Sequence, residues 1–138
     1  MWERLGYWFG VRGSSLPEGD DAVFQNAINR SVLVVRPAEP FVRWAAAVGG
    51  EPVGQTRKAL AEDHTAYLIA RQDSLEVEEA VLEAVYAEIF ERELLSWHLD
   101  KTRWPAPRTL ALFRQWFELT LCGLVVDLWE TPIERDAG

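Results

Sequence analysis

The side chains best suited to chemistry lie in one short stretch, Trp97-His98-Leu99-Asp100, followed by Arg103 and Trp104. A neutral imidazole with a carboxylate two positions on can act as a general base or a metal ligand, provided the carboxylate fixes its tautomer. A histidine that closes a helix and bonds its last carbonyls is the structural alternative. His98 and Asp100 are therefore the candidate catalytic residues, and His98 is also a candidate metal ligand.

His64 is the second candidate ligand. It follows Glu62 and Asp63, and the three side chains offer nitrogen and oxygen donors to a metal if the fold adds His98 or Asp127. The same triplet in a polar loop is also an ordinary solvated surface. Asp127 either projects into a crevice at the carboxyl edge of a sheet or marks where a strand emerges into water. Cys122 is the only cysteine. It reads as a small buried hydrophobe in an apolar strand, since a reactive thiolate needs exposure and a positive neighbour. A single cysteine excludes an intramolecular disulfide and a Cys-x-x-Cys zinc knuckle, which fits a reducing, cytoplasmic setting.

The sequence holds no phosphate loop, dinucleotide fingerprint, nucleophile elbow or His-Glu-x-x-His pattern. Catalysis is thus the less favoured expectation, and no cofactor is expected. Recognition is the alternative. Tryptophan and arginine are enriched at binding hot spots, and Trp97, Arg103, Trp104 and Arg108 surround one loop, so they are the candidate partner-binding residues. The formal net charge of −8 repels phosphate backbones and anionic lipid, which argues against nucleic acid and membrane surfaces as partners. No apolar run approaches the roughly 20 residues of a membrane helix, and the aromatic N-terminus lacks the pattern of a signal peptide.

The elements that must position these residues follow from periodicity. With 138 residues, 49% of them hydrophobic, the chain suits a single core. Residues 1–28 join an aromatic tip to a breaker-rich linker and are expected to form an extension or flexible arm, leaving 29–138 as one domain. Residues 31–36 are β-branched and apolar on both faces, as in a central strand covered on two sides. Pro40, with Phe41, Trp44, Ala45 and Val48 at helical spacing, predicts a helix stopped by Gly49-Gly50. Residues 56–60 offer at most a helical turn, and 65–70 read as a second strand. Asp73, Ser74 and Glu76 have the pattern of a capping box for a long helix whose apolar stripe runs from Val77 to Trp97, with Glu76, Glu79, Glu83 and Glu91 outside. After Trp104-Pro105-Ala106-Pro107, residues 109–119 predict another helix and 121–128 a third strand.

The expected class is α+β, a small three-stranded sheet with about three helices in the order β-α-β-α-α-β. Three strands cannot hold helices economically on both faces, so helices on one face, or a dimer covering the other, is the expectation.

From residue 29 onward the chain resembles a family of short bacterial proteins of uncharacterised function. The resemblance covers residues 29–128. It is carried by Asn29-Arg30-Ser31-Val32-Leu33-Val34-Val35-Arg36-Pro37, by an acidic central helix ending near Trp97-His98, and by the Trp104-Pro105 step. It implies a one-domain family and brings no activity or catalytic residues. The functional expectation is a protein-interaction or self-associating module, with a homodimer or another protein as partner. The alternative is a small enzyme or metal-binding protein using His98 and Asp100.

Overall fold

The computed structural model describes residues 24–136. Most of the extension expected over residues 1–28 lies outside the described residues. Regular pairing begins inside its last few positions, where Ala27 bridges Val126 and the Ile28 N–H donates to the Val125 carbonyl.

The architecture is α+β: the described residues form a three-stranded antiparallel sheet and four helices in the order β-α-α-β-α-α-β. The first strand, β1 (Arg30–Pro37), is central. It pairs antiparallel with β2 (Thr65–Ala70), placing Leu33 opposite Tyr67, and with β3 (Phe117–Cys122), placing Leu33 opposite Leu121. The order across the sheet is β2-β1-β3, so β2 and β3 are its edges among the described residues.

Helix α1 (Glu39–Gly49) has Pro40 in its first turn, where the missing N–H costs nothing. It stops at Gly50, whose φ of 65° lies in the left-handed region that glycine adopts without strain, and whose N–H returns to the Ala46 and Ala47 carbonyls. Helix α2 (Val53–Leu60) is a full helix where the sequence supports only a turn, held by burial of Thr56 and Leu60. Helix α3 (Glu79–Trp97) starts later than the capping-box pattern suggests. Ser74 donates to the Glu76 carbonyl, and it is the Gln72 side-chain oxygen that accepts from the Glu78 N–H at the helix entrance. A 3-10 turn (Lys101–Arg103) leads to α4 (Leu110–Trp116), whose N-cap Thr109 accepts from the Leu112 N–H.

The third strand lies earlier than residues 121–128. Phe117 completes the helical spacing of Leu110, Phe113 and Trp116, but it also begins the alternation Phe117, Leu119, Leu121 in, Glu118, Thr120, Cys122 out. The sheet register decides in favour of the strand. Cys122 is consequently exposed at the end of β3, not buried in it.

One face of the sheet makes the core. Leu33, Val35, Ile69 and Phe117 pack with Phe41, Leu82, Phe90, Leu94 and Phe113 from the helices. Phe90, Phe113 and Phe117 form a triangle of rings with centroids 5.0 to 5.8 Å apart, within the range where tilted and edge-on contacts add to simple burial. The opposite face carries Val32 and Val34, half-buried, with Ala66, Leu68, Ala70, Glu118, Thr120 and Cys122 exposed. No described helix covers it. Residues 31–36 are therefore central, as expected, and the described helices all lie on one of the two faces.

Candidate functional site

His98 caps the end of α3, its own N–H donating to the Leu94 carbonyl at 2.8 Å. Three indoles fasten the chain around it. Trp97 donates to the Ala45 carbonyl at 3.1 Å, Trp104 to the His98 carbonyl at 2.9 Å, and Trp44 to the Arg103 carbonyl at 2.8 Å. Each half-buried or buried indole N–H thus satisfies a backbone acceptor, the usual requirement for burying tryptophan. The Trp44 and His98 rings meet edge to face at 6.5 Å.

Asp100 does not orient His98. Its Oδ1 accepts from both the N–H and the hydroxyl of Thr102, at 3.0 and 2.6 Å, capping the 3-10 turn. These bonds hold its carboxyl below the usual range, with the His98 and Arg103 charges as lesser influences. Among the described residues no ion pair joins His98 to a carboxylate. None of their His, Cys, Asp and Glu side chains gather in a group of three that could hold a metal ion. His64 lies exposed in the loop between α2 and β2. Asp127 is tied into the chain's exit from the sheet, its N–H donating to the Asn26 carbonyl and its Oδ1 accepting from the Trp129 N–H.

What the fold does bring to His98 is a shallow recess of about 340 Å³, lined by Gly49, Glu51, Gln55, Thr56, Ala59, Trp97 and His98. Thr56 is 2% exposed and its hydroxyl has no hydrogen-bond partner. The recess could take a small polar molecule, and the two titratable side chains on its wall, Glu51 and His98, form no ion pair with each other.

The four residues expected to bind a partner form a clasp instead of an open patch. Trp104 is 8% exposed and belongs to the core, with Lys101 and Arg108 over its ring at 5.7 and 5.5 Å. Arg108 also donates to the Pro105 carbonyl and lies 3.7 Å from Glu91. Trp97 is half-buried, and of the set only Arg103 has an exposed side chain. Trp104 is therefore an anchor of this chain's own fold, because its indole fills the space between the α3 terminus and the proline-rich loop.

A second surface is less conspicuous in the sequence. Strand β2 has β1 on one side and, among the described residues, no strand on the other. Beside it, Tyr67, Leu68, Ile69, Val85, Glu88, Ile89 and Arg92 line a groove of about 140 Å³ between the strand and α3. Leu68 is 52% exposed on the open face. The strand carries no charge and no proline, the devices that usually protect a sheet edge.

Comparison with protein-family models, curated proteins and solved structures gives no match. The site must be judged on its own chemistry.

Sequence reasoning missed Glu93. It sits on the inner side of α3 at 5% exposure, accepting from the Tyr67 hydroxyl at 2.5 Å. Burial pushes its carboxyl up, while bonds from Tyr67 and Thr65 pull it back. The available signal was its place three residues after Phe90 and four after Ile89, on the apolar stripe. Ser31 was missed too: fully buried on β1, it donates to the Gly123 carbonyl and accepts from the Gln72 N–H.

Proposed function

We propose that this chain is a self-associating protein-interaction module whose docking element is the free edge of β2 with the α3 groove beside it. The observation that carries the reading is that β2, six uncharged residues long, pairs on one side only among the described residues. Such an edge is a template for another strand, and an identical strand in antiparallel sense matches its donors and acceptors. Leu68, exposed on the face that no described helix covers, extends the apolar area available to a partner. Membership of the short bacterial family that residues 29–128 resemble belongs to the same proposal. So does a reducing cytoplasmic setting, supported by the single exposed Cys122.

The enzymatic alternative has less support. Asp100 is occupied by Thr102, and the described residues form no metal-binding group around His98 or His64. No helix of the described residues is long and apolar enough to cross a membrane.

The test is molar mass in solution. Size-exclusion chromatography with light scattering over a wide concentration range should show a dimer dissociating on dilution; a monomer at every concentration would overturn the reading.

A further inference from the structure

We infer that two copies pair antiparallel along β2 about a two-fold axis at Tyr67, joining their sheets into one of six strands, with the charges flanking the strand selecting that register. The inference rests on the self-association proposed above and adds its geometry.

Peptide groups along a strand point alternately to its two sides, so only every second residue of β2 can bond outward. In an antiparallel ladder, residues directly opposite each other must both be of the outward or both of the inward kind. A two-fold axis must then pass through a residue, not between two. The centres that keep nearly the whole of Thr65–Ala70 overlapped are Tyr67 and Leu68.

Charge separates these two. An axis at Leu68 sets Asp63 opposite Asp73 of the second copy, like charges face to face. An axis at Tyr67 sets Asp63 opposite Arg71 of the second copy, and the symmetry repeats the pair at the other end of the strand. Opposite charges across a strand pair stabilise it and like charges destabilise it. Arg71 has an exposed side chain and only a loose 3.9 Å contact with Asp73 in its own chain, so it is available for the exchange. Asp63 is likewise exposed.

The Tyr67-centred register also agrees with the side chains. It places Ala66 against Leu68 of the second copy on the open face, a small residue beside a large one, and Thr65 against Ile69 on the helix side. Ala66 and Leu68 are both exposed in the single chain, and both become covered in the pair.

The experiment is sedimentation equilibrium on the full chain, comparing the unaltered protein with Arg71→Asp, Asp63→Arg and the double exchange, with circular dichroism to confirm that each variant folds. Each single reversal makes two symmetric like-charge contacts and should raise the dimer dissociation constant roughly tenfold, while the double exchange should return it to within about threefold. A dimer of unchanged strength in all variants would overturn the Tyr67-centred register and leave self-association standing. An unaltered chain that is monomeric throughout would overturn both, and point to a different occupant of the β2 edge.

Discussion

Tyr67, at the middle of an edge strand, donates its hydroxyl to the carboxylate of Glu93 across 2.5 Å, linking β2 to the last turns of α3. Burial pushes both groups toward their neutral forms: the phenol is raised by desolvation first and by Glu93 second, and the carboxyl is raised by desolvation. A carboxylate held in this way costs stability when charged, and that cost has a pH signature.

Glu93 binds its proton more tightly folded than unfolded. Stability should therefore fall as pH rises from its ordinary value of 4.5 through the raised folded value, and then level off. Tyr67→Phe removes a bond that favours the charged carboxylate, so the falling limb should move to higher pH, with a loss near neutrality of about 1.5–3 kcal/mol. Glu93→Gln should abolish the limb. Urea denaturation across the acid range reads all three, and a limb that persists in Glu93→Gln would assign it to another group.

Ser31 bridges two backbone groups that have no access to water, the Gly123 carbonyl and the Gln72 N–H. Ser31→Ala leaves both without that partner and should cost about 1–3 kcal/mol. A midpoint within experimental error of the parent would show that the cavity admits water.

Thr56 presents the opposite case, a buried hydroxyl already without a partner. Thr56→Val keeps the shape and removes the unsatisfied atom, so it should raise stability by about 1 kcal/mol. A drop in the thermal midpoint would mean that the hydroxyl is bonded to water or to a molecule in the His98 recess.

Trp104 and Trp129 differ by burial, at 8% and 79% exposed. Trp104→Ala should cost about 3–5 kcal/mol, as large core truncations do, whereas Trp129→Ala should stay within about 0.5 kcal/mol. Equal effects would contradict the clasp around the α3 terminus.

Cys122 sits at the end of β3, the edge away from β2. Its thiol should react promptly with an aromatic disulfide reagent in the folded protein, and at the same rate in the dimer and the monomer if copies meet through β2. Protection that grows with protein concentration would favour association through the open sheet face.

The sequence by itself determined the α+β class, the strands β1 and β2, and the limits of α1. Their local signals are strong: Pro40 and Gly49-Gly50 bracket a 3.6-residue periodicity, and 65–70 is a compact β-prone run between polar loops. The beginning of β3 was not legible, because Phe117 satisfies the helical spacing behind it and the alternation ahead of it. Only pairing with β1, which sets Pro37 opposite Phe117, decides between them. The roles of Trp104, Asp100 and Cys122 were likewise undetermined, since residue type says nothing about which side of a loop faces the core. The exposure of β2 was decided at the same level. Whether a strand lies at the centre or the edge depends on the order β2-β1-β3, a relation among segments far apart in the chain that no local pattern encodes.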